Sequence, residues 1–146
     1  MKVLVIQGPN LNLLGKREEE IYGGSTLEEI NSELAKVGKQ LGVEVFSFQS
    51  NHEGEIVDAI QGAPVEEYEA IIINPAAYTH TSVAIRDALL AVGLPYYEVH
   101  ISNIFAREEF RQRSLISDGA SGIVTGFGTV GYTLALQGVS RHRDIQ

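Results

Sequence analysis

The sequence predicts a single α/β domain, residues 1–146, with a five-stranded parallel sheet and helices on both faces. Five short apolar runs recur along the chain, and helical stretches separate them. This is the pattern of parallel strands buried on both faces. The 146 residues form one domain of common size and can bury about 68–70% of the unfolded surface. The apolar runs are residues 3–6, 43–46, 70–73, 96–99 and 122–125.

The first third of the chain contains a strand, a long loop and a helix. We predict the strand over residues 2–7 and the loop over residues 8–24, and a loop this long in a compact domain is usually functional or mobile. The segment Ser25-Thr26-Leu27-Glu28 matches a capping box, in which Ser25 caps the next helix. Apolar residues then recur at three- and four-residue spacing, and Gly42 ends the helix.

The rest of the chain alternates between strands and helices in the same way. We predict strands at residues 43–49, 70–74, 96–100 and 122–126, and helices at residues 55–61, 82–92, 106–113 and 129–139. Crossover connections between parallel strands are nearly always right-handed, which leaves few topologies. A flavodoxin-like sheet is the best of them, and we expect a loosely ordered tail after about residue 139.

Composition fits a globular protein and excludes several classes of function. Hydrophobic residues make up 44% of the chain and charged residues 21%, as in ordinary soluble domains. A net charge of −8 disfavours nucleic acid or an anionic membrane as a partner. Without cysteine there is no disulfide, thiolate metal site or cysteine nucleophile. No apolar run is long enough to span a membrane, and the first residues do not match the pattern of a signal peptide. We therefore expect a cytoplasmic location.

Nearly every residue suited to chemistry follows the end of a predicted strand. Ligands of open parallel sheets bind outside the carboxyl ends of the strands, so the sequence predicts one site assembled from distant loops. The candidates are Asn10, Arg17, Tyr22, Asn74, His80, Glu98, His100 and Ser102.

Glu98 and His100 are two residues apart on a predicted strand, so their side chains share one face. A carboxylate beside an imidazole fixes the tautomer and favours the protonated ring, which suits a general acid. The other interpretation is a buried pair that only closes the end of the strand. Ser102, which follows immediately, favours the functional interpretation.

For each of the other candidates, the residues alone favour a structural interpretation over a functional one. Asn74 and His80 could bind a polar ligand or could cap backbone groups in a turn. Tyr22 needs a nearby cation to act as a base, and Arg17 could supply it or could belong to a solvated run of charge. A predicted helix puts Arg107 and Arg111 on one face, where they could meet an anion or join a surface ion-pair network.

Two glycine-rich segments do not match nucleotide-binding motifs. Residues 8–15 lack the lysine and hydroxyl pair of a P-loop. Residues 126–131 match G-x-G-x-x-G but follow the last strand, with no acidic residue about 20 positions later. We therefore interpret them as tight packing between a strand and a helix.

Taken together, these motifs resemble the type II 3-dehydroquinate dehydratases over essentially the whole chain to Val139. The motifs that carry the resemblance are Gly8-Pro9-Asn10-Leu11-Asn12-Leu13-Leu14-Gly15, Arg17-Glu18, Tyr22-Gly23, Gln49-Ser50-Asn51, Thr79-His80-Thr81-Ser82, Arg86-Asp87, Glu98-Val99-His100-Ile101-Ser102-Asn103 and Arg107-Glu108. The resemblance implies a flavodoxin-like lyase that forms a homododecamer of trimers. It implies dehydration of 3-dehydroquinate to 3-dehydroshikimate without cofactor or metal, in the shikimate pathway and aromatic amino-acid biosynthesis. The same step also serves quinate breakdown.

The resemblance also implies catalytic roles. Tyr22 would remove a C2 proton, with Arg17 stabilising its phenolate. Asn10 would hold a water against the enolate oxygen, a contribution of the oxyanion-hole type. His100, oriented by Glu98, would protonate the departing C1 hydroxyl.

Substrate binding is implied for a second set of residues. The backbone amides of Ile101 and Ser102, with the Ser102 hydroxyl, would hold the substrate carboxylate. Asp87 would reach into the site of a neighbouring subunit. The ring hydroxyls would be bound by Asn74, His80 and Arg111.

Two other classes of function stay open at this point. His80, His100 and Glu98 could form an open zinc site of a metal-dependent hydrolase. A flavodoxin-like binding module for a nucleotide or a phosphate is the other alternative, although the missing P-loop lysine counts against it.

Overall fold

The protein forms one five-stranded sheet in which every neighbouring pair of strands is parallel. The computed structural model describes residues 1–16 and 18–142. The strand order is β2-β1-β3-β4-β5, which is the flavodoxin-like order that the sequence predicts. The strands are β1 (Lys2–Gln7), β2 (Glu44–Gln49), β3 (Ala70–Asn74), β4 (Tyr96–His100) and β5 (Gly122–Thr125).

Helices cover both faces of this sheet. They are α1 (Glu19–Tyr22), α2 (Leu27–Leu41), α3 (Glu53–Gly62), α4 (Val83–Val92) and α5 (Val130–His142). Alternate residues of β1 point to opposite faces: Val5 packs in the cluster of α2 and α5, and Ile6 packs in the cluster of α3 and α4. The three central strands, β1, β3 and β4, are buried from two sides, which explains their continuous apolar runs. The edge strands β2 and β5 consist of exposed and half-buried residues. No helix within the described residues is long and apolar enough to cross a bilayer.

Two local predictions are wrong. The cap of α2 is Thr26, whose side-chain oxygen accepts from the Glu29 amide at 3.2 Å. Thr26 and Glu29 have the same capping-box spacing as Ser25 and Glu28, so the motif alone does not fix the first turn. The predicted helix over residues 106–113 is instead two short 3₁₀ turns, Ile104–Ala106 and Glu109–Arg111. Its charged residues offer no apolar stripe with which a longer helix could pack.

Close backbone contacts bring the strand ends together. The Gly8 amide donates to the Asn74 carbonyl at 2.8 Å, and a Cβ atom at Gly8 would lie 2.4 Å from the Pro75 carbonyl oxygen. Only glycine fits there, so the first loop leaves β1 directly beside the end of β3.

The glycines after β5 pack a helix against the sheet, as predicted. Gly126 has a φ of 88°, a conformation that glycine adopts without strain. A Cβ atom at Gly131 would lie 3.3 Å from Val124 Cγ1 and 3.6 Å from Val99 Cγ1. The start of α5 therefore lies directly on β4 and β5.

Candidate active site

A pocket of about 190 Å³ opens at the carboxyl ends of β1, β3 and β4, where the strand order reverses. The structure brings most of the predicted site residues to it. Those that line the pocket are Asn10, Tyr22, Asn74, His80, His100, Ile101, Ser102 and Arg111.

Two predicted residues lie elsewhere, and a third falls outside the described part of the chain. Glu98 is behind the pocket wall, fully buried under His100. Asp87 is exposed on α4 and does not line the pocket. Arg17 lies outside the residues that the structure describes.

Glu98 is a buried carboxylate held by three donors. Its Oε2 atom lies 2.5 Å from His100 Nε2 and accepts from the Ser114 hydroxyl at 2.7 Å. Its Oε1 atom accepts from the Ser117 hydroxyl at 2.5 Å. Burial raises the pKa of Glu98, but the hydrogen bonds from His100, Ser117 and Ser114 outweigh it and leave this pKa below the ordinary value. The carboxylate is therefore ionised at neutral pH and fixes the His100 ring.

Tyr22 meets an arginine inside the described pocket. Arg107 Nη1 donates to the Tyr22 hydroxyl oxygen at 2.8 Å, and the guanidinium carbon lies 5.5 Å from the centre of the tyrosine ring. A cation in this position stabilises a phenolate. Arg107 also lines the pocket. The sequence singled out Arg107 by its spacing from Arg111 and by the motif Arg107-Glu108, but neither signal predicted contact with Tyr22.

His80 presents a neutral ring to the pocket. Its Nδ1–H donates to the Arg113 carbonyl at 2.8 Å, since a carbonyl can only accept. Burial lowers the pKa of His80, and the charges of His100 and Arg111 lower it further, while the Arg113 hydrogen bond opposes them. The Nε2 atom is then an acceptor.

Asn10 lies in a turn that is held by hydrogen bonds to residues at the end of β2. It has a φ of 67°, and its amide donates to Asn51 Oδ1 at 2.9 Å. Gln49 Nε2 donates to the same Asn51 oxygen and to the Gly8 carbonyl, both at 3.1 Å. These bonds place Asn10 at the pocket wall.

The segment after β4 directs two peptide groups. The carbonyl of His100 accepts from the Gly126 amide at 3.2 Å, and the carbonyl of Ile101 accepts from the Gly128 amide at 3.0 Å. In a trans peptide the following N–H points the opposite way, and no peptide bond among the described residues is cis. The amides of Ile101 and Ser102 therefore point away from the turn at residues 126–128.

Arg111 reaches the pocket from the second 3₁₀ turn. Its Nε atom donates to Glu108 Oε2 at 2.8 Å, and the Arg111 side chain is 28% exposed. The ion-pair and pocket interpretations of this arginine therefore both hold.

A family model gives the decisive comparison: the model described as dehydroquinase class II matches residues 1–140. The chain belongs to this family. A 3-dehydroquinate dehydratase of Francisella philomiragia is 62% identical over 136 residues, which cover 93% of this chain and 92% of that relative. One of Bordetella pertussis is 56% identical over 141 residues, covering 97% of this chain and 98% of that relative.

Solved type II dehydroquinases have the same fold. The crystal structure from Butyrivibrio crossotus has a TM-score of 0.92 and 48% identity, and covers 94% of this chain and 95% of that one. The structure from Propionibacterium acnes has a TM-score of 0.91 and 42% identity, with 95% of both chains covered.

The metal-dependent hydrolase finds no support in this class II dehydroquinase. Within residues 1–16 and 18–142, no group of three or more His, Cys, Asp or Glu side chains could hold a metal ion. Both oxygens of Glu98 are engaged by His100, Ser114 and Ser117, so the proposed ligand set does not form.

Sequence reasoning missed several residues that support the site. Ser114 and Ser117 lie in an irregular segment with no periodic signal. Gln7 and Tyr132 form a buried chain of hydrogen bonds behind Asn74. The one available signal was Gln7, a polar residue at the end of an apolar strand.

Proposed function

We propose that this protein dehydrates 3-dehydroquinate to 3-dehydroshikimate in the shikimate pathway, in the pocket at the ends of β1, β3 and β4. The observation that carries the proposal is the meeting of Tyr22, beside Arg107, with the Glu98–His100 pair around one cavity. The reaction needs one base, one acid and stabilisation of an enolate. Membership of the class II dehydroquinases and the names of the relatives support the same reaction.

Tyr22 is the base in this proposal. Its phenolate removes the proton on C2, beside the C3 ketone, and the electron pair moves to the ketone oxygen as an enolate. Arg107, 2.8 Å from the phenol oxygen, stabilises the phenolate, and we assign Arg17 the same task. Asn10 at the pocket wall holds a water against the enolate oxygen.

His100 is the acid. When the enolate collapses, the bond between C1 and its hydroxyl breaks, and His100 gives that oxygen a proton so that it leaves as water. Glu98 stabilises the protonated imidazole at 2.5 Å. The two proton transfers balance, and no cofactor takes part in the scheme.

Substrate binding uses the remaining pocket groups. The amides of Ile101 and Ser102, with the Ser102 hydroxyl, hold the carboxylate. Ring hydroxyls bind to three side chains that line the same cavity, Asn74, His80 and Arg111.

The assembly and location are part of the proposal. Asp87 is exposed on α4, where a neighbouring subunit of a dodecamer of trimers can receive it. A cytoplasmic location agrees with biosynthesis of aromatic amino acids.

The direct test is a spectrophotometric assay of the conjugated enone formed from 3-dehydroquinate. We expect turnover that survives treatment with a chelator. Absence of enone formation by the folded, purified protein would overturn the proposed reaction.

A further inference from the structure

A buried chain of hydrogen bonds lies behind Asn74 and links three elements. Asn74 Nδ2 donates to the Tyr132 hydroxyl oxygen at 2.8 Å, and the Tyr132 hydroxyl donates to Gln7 Oε1 at 2.6 Å. Gln7 ends β1, Asn74 ends β3 and Tyr132 lies in α5. Gln7 and Tyr132 are 0% exposed and Asn74 is 4% exposed. Neither Gln7 nor Tyr132 lines the pocket.

The direction of every bond in this chain is determined. The Ala76 amide donates to Asn74 Oδ1 at 3.1 Å, and a backbone N–H can only donate. The Asn74 oxygen must therefore face Ala76, and its NH₂ group must face Tyr132. The Tyr132 oxygen then accepts, so its own proton has to go to the Gln7 oxygen.

This arrangement leaves Asn74 one N–H for the pocket that it lines. Its carbonyl oxygen is used by Ala76, and one of its two amide hydrogens is used by Tyr132. The remaining N–H is a donor, which suits a ligand oxygen that accepts. Because burial raises the pKa of Tyr132 to about 12, the phenol keeps its proton near neutral pH.

Gln7 indicates that this network of hydrogen bonds does more than pack the core. Its Nε2 atom is buried and has no hydrogen-bond partner among the described residues. A buried unpaired donor costs free energy that an apolar side chain would avoid. The acceptor oxygen of Gln7 takes the buried Tyr132 proton and leaves the phenol oxygen to accept from Asn74.

We propose that Tyr132 and Gln7 are positioning residues that, together with the Ala76 amide, hold Asn74 as a hydrogen-bond donor toward a substrate hydroxyl oxygen. The inference rests on the proposed function, because it concerns the same pocket. Tyr132 and Gln7 touch no substrate and act through Asn74 alone. Their loss should therefore weaken substrate binding, with a much smaller effect on the chemical step.

The test is a double-mutant cycle between Tyr132→Phe and Asn74→Ala, assayed with 3-dehydroquinate. Tyr132→Phe should raise KM about tenfold, with a much smaller change in kcat. In the Asn74→Ala background the same substitution should leave KM unchanged, since the effect passes through Asn74. A KM effect that persists without Asn74 would overturn the proposal. So would an unchanged KM with lowered kcat or thermal stability, which is the signature of a structural role.

Two further variants keep the test decisive. Tyr97→Phe is the matched control: Tyr97 lies in the same core cluster, and its hydroxyl contacts His142 at 2.7 Å rather than the pocket. Its KM should equal that of the wild type.

Gln7→Met removes the acceptor without removing Tyr132, so it tests the proposal even if Tyr132→Phe fails to fold. This substitution should raise KM only when Asn74 is present. An unchanged KM in Gln7→Met would show that Gln7 does not help to position Asn74. If the wild-type protein forms no enone, the proposed function itself is overturned. If the wild type is active but the Tyr132 and Gln7 variants keep its KM, only the positioning role is overturned.

Discussion

At the scale of single residues, the proposed base and the proposed acid each lie against a charged partner of their own. Tyr22 lies against the guanidinium of Arg107 at 2.8 Å, and His100 lies against the ionised Glu98 at 2.5 Å. A cation favours the phenolate, and an anion favours the imidazolium. The two groups therefore have partners of opposite charge within one small pocket.

Tyr22→Phe should abolish turnover while substrate binding survives. The ring is retained, but the group that takes the C2 proton is lost, and we expect kcat to fall by at least about 10²-fold. Titration calorimetry with 3-dehydroquinate should still detect binding. Tyr68→Phe is the control, because Tyr68 is buried in the other core cluster. A folded Tyr22→Phe protein with a near wild-type kcat would disprove the assignment of the base.

His100→Ala should lower kcat by about 10²–10⁴-fold, as expected for loss of a general acid. The comparison is with His142→Ala, which removes an imidazole that contacts Tyr97 away from the pocket. Measuring the pH–rate profiles of both variants and the wild type decides the role. If His100→Ala keeps the wild-type profile, His100 takes no part in proton transfer.

Stability in acid should depend on Glu98. The pKa of Glu98 in the folded protein lies below its usual 4.5, so the unfolded chain binds the proton more tightly. The stabilisation is therefore complete above the unfolded pKa and is lost as the pH falls through the folded pKa. Denaturant titrations between about pH 3 and pH 7 should give a shallower pH dependence for Glu98→Gln than for the wild type. Equal slopes would show that Glu98 contributes nothing to this acid transition.

At the scale of elements, the cap of α2 is the point where the long first loop joins this helix. Thr26 is the N-cap, and the loop residue Gly15 lies close to it, since a Cβ atom at Gly15 would be 2.9 Å from Thr26 Cγ2. Gly15 has a φ of 83°, which keeps the backbone close at this point. The cap thus satisfies an amide of the helix and also packs against the loop that carries Tyr22.

Thr26→Ala should lower the free energy of unfolding by about 1 kcal/mol, the usual cost of losing an N-cap. Ser25→Ala is the matched control and should have a much smaller effect, because the structure makes Thr26 the cap. Thr26→Ser keeps the hydroxyl and should restore most of the loss. Urea denaturation of the three variants measures the differences. A larger loss in Ser25→Ala would support the capping box that the sequence predicted at Ser25.

At the scale of the whole molecule, the sheet brings residues from distant loops to one pocket and leaves Asp87 outside it. The carboxyl ends of β1, β3 and β4 are neighbours because the order is β2-β1-β3-β4-β5. Asp87 is exposed on α4, so a role in binding requires a second subunit.

Mixing inactive subunits should restore activity if Asp87 acts in a neighbour's pocket. We expect Asp87→Ala and His100→Ala to be impaired separately, and co-assembled mixtures to exceed both, because some pockets then receive an intact Asp87 and an intact His100. Asp58→Ala, an exposed aspartate on α3, should be fully active. Sedimentation during the assay gives the assembly state. A fully active monomer, or mixtures that never exceed their parents, would refute the shared site.

The succession of strands and helices along the chain, and most of the pocket wall, could be predicted from the amino-acid sequence. Buried parallel strands need continuous apolar runs, and their carboxyl ends hold the ligand, so Asn74 and His100 could be placed from local pattern alone. Tertiary structure decided which distant groups meet. Arg107 reaches Tyr22, Ser114 and Ser117 reach Glu98, and Tyr132 joins Gln7 to Asn74. Such contacts join residues far apart in the chain, and local periodicity carries no information about them, because they depend on how helices and loops dock on the sheet.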